Sequence, residues 1–439
     1  MALFRRYRLV VQIGRDVARS SSLQAALLTA VNTGRRCFLG GVEVVAAAEV
    51  LEAPLRIVWS GSRTIGDAIV DLQGVPVVIG TPEVPRIVIG DVAPDSARGA
   101  FAVRATLDGW SAGVVPLSSS VRLPERQECT PAGVLAGALA ISEAFQYVRG
   151  DTVEAGAREI GLSLWDPEPS VDWRSAGGGP QLELLPSRLW LIGLGHLGQA
   201  YLWTLGLLPY ADPSAIELVL QDFDALVEAN DSTSPLTHRG VLGQKKTRAM
   251  AAWAEHRGFR TVIQERRFAH SFRVSDAEPQ LALCGVDNPL ARADLEDVGF
   301  ARVIEAGLGK GTREYLAFQI HTFPSSGRSA KARWSGMHEA TFLERTMLAQ
   351  PAYRSLATQG LDDCGITTLA GRSVGASFVG AATSALVIAE ALRITLAERT
   401  YTVIDATLRA PDRRRAIVNE VAVDPFNPGI TRAELHSMA

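Results

Sequence analysis

The chain has 439 residues, enough for two or three domains at the usual ~100–200 residues each. Hydrophobic residues make up 47% and charged residues 21%, which excludes disorder as the dominant state. Forty-four basic against 47 acidic residues give a net charge of -3, which speaks against a broad nucleic-acid surface, and four cysteines in such a length exclude a disulfide scaffold.

The cysteines are Cys37, Cys129, Cys284 and Cys364, and none forms a Cys-x-x-Cys pair, so no zinc site is expected. The pattern suits a reducing cytoplasm. Met1 to Gly14 has too short an apolar run for a signal peptide. The longest uncharged apolar stretch, 373–389, falls short of the ~20 residues of a membrane span, so a buried helix is expected there and no membrane partner.

In chain order, Leu23–Val31 reads as a helix, Leu55–Trp59, Pro76–Ile79 and Pro85–Ile89 as strands, and Gly133–Tyr147 as a helix. Residues 166–182 hold three prolines and three consecutive glycines and read as a linker or long loop. They divide an α/β domain over 1–165 from a second over 183–439. The second alternates clearly. Ser187–Ile192, Ala215–Leu220, Thr261–Glu265 and Gln280–Val286 are strand-like, with helices over Gly198–Leu208 and Gly243–His256. Such alternation predicts a parallel sheet with helices on its faces. The segment 321–360 reads as a solvated insertion with a short helix over Glu339–Leu348, or as a crossover loop that clamps a partner's tail.

The halves share an echo. Residues 133–147, GVLAGALAISEAFQY, match residues 380–394, GAATSALVIAEALRI, at six of fifteen positions, among them Gly133/Gly380 and Glu143/Glu390. Chance similarity of small-residue helices and duplication of an α/β module both account for it.

The chemistry concentrates in Gly193-Leu-Gly195-His196-Leu-Gly198, between a strand and a helix. Gly193 permits the tight turn, Gly195 lets backbone approach a phosphate, and Gly198 lets helix pack on strand. Asp222, 24 residues on, ends the second strand and can accept from ribose hydroxyls. On these features alone NAD(P) or FAD is favoured. The next residues change the balance. Asp222-Phe-Asp224 is followed by Asn230, eight residues after Asp222, and by Gly243-Gln-Lys245-Lys246, with Lys246 sixteen after Asn230. Cys284-Gly-Val-Asp287-Asn288 then leads to Arg292.

In these motifs the chain resembles the ThiF/MoeB/HesA adenylyltransferases and the ubiquitin-activating enzymes, strongly over residues 186–300 and more loosely over 364–425. The resemblance implies a Rossmann-like adenylation domain preceded by a reduced, inactive adenylation-like half. It implies ATP-dependent adenylation of the C-terminal carboxylate of a ubiquitin-like or sulfur-carrier protein, with ATP and Mg²⁺ and without zinc. Gly193, Gly195, Gly198, Asp222, Asp224, Asn230 and Lys246 would bind the nucleotide, and Asp287 the metal. Lys246, Asp287 and Cys364 would be catalytic, Cys364 as a thioester acceptor. A conjugating enzyme and a homodimer are further partners it allows. Asp362 and Asp363 beside Cys364 would raise its pKa, so a structural thiol stays open. Asp224 as a turn cap, Lys245 as a solvated charge and Arg292 as the partner of a nearby acid are the bland alternatives.

One departure is plain. The family's Arg three residues after the Asn is Thr233 here, and a hydroxyl cannot replace a guanidinium fork. An arginine from the first half, such as Arg5, Arg6, Arg8 or Arg15, is a candidate substitute. Asn427-Pro-Gly429-Ile430 lies where relatives carry a zinc-binding cysteine pair. Adenylation of a small molecule, peptide or tRNA base, an NAD(P)-dependent oxidoreductase and an inactive nucleotide-binding scaffold remain alternatives.

Overall fold

The computed structural model describes residues 6–59, 61, 63–93, 101–175, 178–309, 314–334, 376–422 and 424–434. Two mixed sheets carry the chain. In the first half, β1 (Arg8–Ile13) leads to α1 (Ser21–Cys37), β2 (Gly41–Val45), the short helices α2 (Ala48–Leu51) and α3 (Ile65–Asp71), and β3 (Val75–Val77). Next come β4 (Arg86–Ile89), the hairpin β5 (Ala102–Asp108) and β6 (Ser111–Pro116), α4 (Thr130–Arg149) and β7 (Ile160–Ser163). The sheet order is β3-β2-β1-β4-β5-β6-β7, parallel from β3 to β5 and antiparallel from β5 to β7.

The second half opens with β8 (Leu184–Pro186), then β9 (Arg188–Ile192), α5 (His196–Gly206), β10 (Glu217–Gln221), α6 (Glu228–Thr233), α7 (Lys246–Glu255) and β11 (Arg260–Gln264). It continues through β12 (Leu281–Cys284), α8 (Pro289–Ala293), β13 (Arg302–Leu308), β14 (Ala317–Phe323) and α9 (Ala330–Trp334). After α10 (Ser377–Thr395) come β15 (Tyr401–Thr407), β16 (Arg415–Val418) and β17 (Ile430–Arg432). Its main sheet runs β11-β10-β9-β12-β13-β14-β15-β16, parallel from β11 to β13 and antiparallel beyond. From β3 to β7 and from β11 to β15 the strand order and directions match one for one.

The central strands are short apolar runs buried on both faces, as parallel strands covered by helices must be. Helices α4 and α10 are apolar on all sides and accordingly lie in the middle of the molecule. α1 packs on α4, α5 on α10, and α4 on α10, so a helix layer joins the two sheets in one continuous core. α10 is the one helix among the described residues long and apolar enough to cross a membrane, and it is buried here as core. Ser20 caps α1 by accepting from Leu23 N–H at 3.1 Å. Across the layer, Trp203 Nε1 donates to Thr29 Oγ1 at 3.0 Å, and Phe145 meets Phe378 at 5.5 Å between centroids.

The echo has a structural content. A Cβ on Gly133 would lie 2.1 Å from Ser22 O, at the start of α1, and one on Gly380 would lie 2.3 Å from His196 Nε2, at the start of α5. Both glycines allow the long helix to touch the helix that follows the first strand. Glu143 accepts from Gly156 N–H at 2.9 Å and pairs with Arg158 at 2.6 Å. Glu390 accepts from Tyr401 N–H at 2.7 Å and pairs with Arg393 at 2.6 Å. Each buried carboxylate ties its helix to the chain leading into the next strand, and each has the charge partner that burial demands.

Three sequence expectations need correction or extension. Leu55–Trp59 is not a strand; its Leu55 N–H bonds back to Arg63 O in a loop that brings Trp59 against Trp203 at 5.6 Å. The first strand is Arg8–Ile13, hidden by its flanking arginines. The stretch 166–182 is a packed loop where described: Trp173 fills the space over Gly113 and Gly161, and Arg414 donates to Pro167 O at 2.6 Å. The helix expected over Glu339–Leu348 lies outside the described residues.

Candidate functional site

The loop from β9 into α5 sits at the carboxyl ends of β9, β10 and β12, where α/β sheets place their ligands. Its three glycines do three different things. Gly193 has φ +82°, and a Cβ there would come 2.7 Å from Val286 Cγ1. Gly198 lies under the turn: a Cβ would stand 1.9 Å from Gly193 O. Gly195 meets nothing within 4 Å among the described residues, which leave its face of the loop open. The first turn of α5 then presents N–H groups that have no acceptor within the helix, and the positive end of its dipole, to that opening.

Asp222, the residue after β10, closes the site from one side. Its Oδ2 accepts from Leu194 N–H at 2.7 Å and its Oδ1 from Asp224 N–H at 2.8 Å. Lys246, at the start of α7, sends Nζ to Asp224 Oδ2 at 2.9 Å and stands 3.8 Å from Asp222 Oδ2. These contacts bring together the glycine loop, the Asp-x-Asp turn and the lysine. Asp224 thus serves as the lysine's partner. Lys245 is exposed and donates to Phe223 O at 2.6 Å. Asn230 Oδ1 accepts from Val227 N–H at 2.9 Å, so in this state the side chain caps its own helix.

Asp287 is exposed at the end of β12, one residue from the Val286 that abuts Gly193. Arg292 fixes that turn by donating from Nε to Val286 O at 2.8 Å, and it pairs with the buried Glu305 at 3.0 Å. Glu305 also holds His321 Nδ1 at 2.9 Å. Among the described residues no group of three or more His, Cys, Asp or Glu comes together as a metal cluster. Cys364 lies outside the described residues. Cys129 and Cys284 are buried, and burial pushes both thiols up to about 12, so neither is a ready nucleophile at neutral pH.

The corresponding place in the first sheet is built differently. After β1 come Gly14, Arg15 and Asp16, and the Asp16 carboxylate accepts from Asp91 N–H at 2.8 and 2.9 Å. A Cβ on Gly14 or on Gly90 would lie 2.4 Å from Asp16 Oδ1, so these glycines accommodate the chain's own carboxylate. Arg122 reaches Asp16 at 3.4 Å and Asp91 at 2.8 Å. Ala46 follows β2 where Asp222 follows β10.

Of the arginines considered as substitutes from the first half, Arg5 lies outside the described residues. Arg8 pairs with Glu43 at 2.9 Å and Arg15 with Glu49 at 3.0 Å. From the end of α1, Arg35 and Arg36 reach the second half and pair with Asp231 at 3.3 and 3.1 Å. The sequence offered no signal for them, since their partner lies 196 and 195 residues away.

His196 provides a test of the loop by acidity. Burial pushes its imidazole down from 6.5 to about 4, and its Nε2 finds no hydrogen-bond partner among the described residues. The unfolded chain takes up this proton near 6.5 and the folded chain only near 4, so stability rises with pH across that window. The contribution is complete above about 6.5 and on the order of 3 kcal/mol of it is lost as pH falls toward 4. Urea titrations at pH 7.5 and 4.5 are therefore expected to show a smaller loss of stability for His196→Gln than for the unmodified protein. Equal losses would mean that the imidazole protonates without cost.

The fold and site define a two-sheet α/β protein whose second sheet carries a nucleotide-type glycine loop. The chain belongs to the BilD family: the BilD N-terminal domain matches residues 8–164 and the BilD C-terminal domain residues 185–398. It is 41% identical over 394 residues to the bacterial E1-like protein BilD of Collimonas sp. (strain OK412), covering 90% of this chain and 84% of that protein. Among solved structures, E. coli tRNA N6-threonylcarbamoyladenosine dehydratase, TcdA, in complex with AMP matches with a TM-score of 0.24 and 13% identity. The match covers 31% of this chain and 57% of that one. PaaA matches at a TM-score of 0.29 and 14% identity over 53% of this chain and 72% of its own.

Proposed function

We propose that this chain uses ATP to adenylate a carboxylate, the C-terminal one of a ubiquitin-like or sulfur-carrier protein. Membership of an E1-like family supports the class of reaction. The observation that carries the reading is the Lys246 ammonium beside Asp222, at a loop whose Gly195 the described residues leave uncovered. A dehydrogenase needs the loop and the aspartate but has no use for that lysine.

In this reading the ribose hydroxyls donate to Asp222. Lys246 and Asn230 turn from Asp224 and Val227 toward the phosphates, and the N–H groups of α5 face the same anion. The substrate carboxylate oxygen attacks the α-phosphorus while the bond to the bridging α–β oxygen breaks, and pyrophosphate leaves with that electron pair. The protein's part is to position and to offset developing charge. Asp287 would hold Mg²⁺: one exposed carboxylate suits a hard cation that takes its other ligands from phosphate oxygens and water. When bound, that ion would offset charge on the leaving pyrophosphate. The matching strand order, with Asp16 filling the first sheet's loop, supports reading the first half as a reduced copy without its own nucleotide. A thioester step at Cys364 would form a bond from Sγ to the acyl carbon, release AMP and give the thiol proton to solvent.

The test is titration of the full-length protein with ATP–Mg²⁺ and with NAD⁺, followed by ATP–pyrophosphate exchange with a small partner protein ending in Gly-Gly. Binding of ATP and partner-dependent exchange are expected. Binding of NAD⁺ in preference to ATP would overturn the proposal.

A further inference from the structure

We propose that Arg36, on helix α1 of the first half, is a positioning residue for the glycine loop of the second half, acting through Gln199; its value for nucleotide binding rests on the reading above. Arg36 is embedded in protein acceptors. One Nη group donates to Asp231 O and to Asp231 Oδ1 at 3.1 Å, the other to Pro235 O at 2.8 Å, Thr237 O at 3.0 Å and Asn32 Oδ1 at 3.3 Å. Its side chain is 1% exposed, and burial lowers its pKa to about 9. A guanidinium held in this way is not free to meet a phosphate, so Arg36 does not replace the family arginine missing at Thr233. It shapes the segment that contains Thr233.

The contacts continue inward. Pro235 O and Thr237 O flank Leu236, whose N–H donates to Gln199 Oε1 at 3.1 Å; the Thr237 hydroxyl donates to the same oxygen at 3.0 Å. Gln199 Nε2 then donates to Leu194 O at 3.1 Å, inside the glycine loop, and Leu194 N–H donates to Asp222 Oδ2 at 2.7 Å. Gln199 is fully buried, and both ends of its amide are in use. Turned over, the amide would set its NH₂ against the Leu236 N–H and its oxygen against Leu194 O, so the bonding fixes its orientation. A buried amide is costly unless so bonded. Arg36 therefore holds the backbone of 235–237, that backbone orients Gln199, and Gln199 holds the loop and the aspartate that would bind ribose. Arg35 adds a second fork to the same segment, at Asp231 Oδ1 and Thr237 O.

The experiment uses the full-length protein and the variants Arg36→Met, Gln199→Met and the double variant. Two quantities are read: amide hydrogen exchange of peptides covering 193–199 without ligand, and ATP–Mg²⁺ affinity by calorimetry. Each single variant is expected to speed exchange of the loop and to weaken ATP binding, both by about tenfold, the scale of one buried hydrogen bond lost. The double variant is expected to do little more than either, because the two act in series. Arg36→Lys should fall between, since one compact ammonium cannot span the acceptors that two Nη groups reach. A lowered melting temperature with unchanged loop exchange and ATP affinity would make Arg36 only interface packing and overturn the proposal. Faster loop exchange in a protein that binds no ATP would keep the coupling and sink the nucleotide reading. If Arg36→Met does not fold, Gln199→Met, which leaves the Arg36 contacts in place, carries the same two readouts, and unchanged values there overturn the proposal.

Discussion

Gly198→Ala is expected to disable the second half, while Gly195→Ala, three residues earlier in the same motif, should leave the fold intact. The methyl added at Gly198 would stand 1.9 Å from Gly193 O, a backbone atom that cannot swing aside. Relief requires α5 to move off β9, and α5 is packed on α10 in the centre of the core. The cost is roughly 3 kcal/mol or more, the upper range for overpacking. That should lower the melting temperature by ~6–12 °C in a unit of this size. Gly193 O also belongs to the loop, so nucleotide binding should go with it. At Gly195 a methyl meets no atom of the described residues within 4 Å. It points into the space that the phosphates would occupy, so ATP binding should be lost at an unchanged melting temperature. Differential scanning calorimetry with and without ATP–Mg²⁺ separates the two. A Gly195→Ala protein that binds ATP normally would place the phosphates elsewhere.

Lys246→Ala is expected to reduce ATP–pyrophosphate exchange by roughly 10²–10³, the usual effect of removing one preorganised charge at a phosphoryl centre. The lysine sits between two carboxylates, Asp222 at 3.8 Å and Asp224 at 2.9 Å. An incoming triphosphate competes for the ammonium, and Asp224, being on the exposed side, is the partner it would leave. Asp224→Asn should therefore free the lysine and change exchange far less than Lys246→Ala. Lys246→Arg should not rescue, because a planar fork cannot take the place of a compact ammonium already bracketed by two acids. Exchange at the normal rate in Lys246→Ala would remove this residue from the reaction.

The elements that were legible in the sequence are those whose evidence is local. Strands β9 and β12 announce themselves as apolar runs bounded by glycine, and α10 as a long apolar helix without charge until Glu390. The spacing from Asp222 to Lys246 was legible through its resemblance to the adenylyltransferase pattern. Less could be read where local signals conflict with tertiary demand. The strand Arg8–Ile13 follows several arginines and looks like a charged terminus, yet its Leu9–Val11 run lies at the centre of the first sheet. Leu55–Trp59 has strand-like composition but is drawn into a loop by the contact of Trp59 with Trp203.

By itself the sequence determined that a phosphate-type loop follows a buried strand, that acids and a lysine follow at set spacings, and that two helices share Gly and Glu at matching positions. These are properties of single turns and of one repeating unit, where the chain's own geometry sets the distances. Only the tertiary structure decided what those residues meet. It pairs Gly380 with His196 and Gly133 with Ser22, fills the first sheet's loop with Asp16, and carries Arg36 from the first half to the segment beside Asn230. Such contacts join positions 75 to 199 residues apart, and no local pattern encodes them, because they exist only once the strands have paired and the helices have packed.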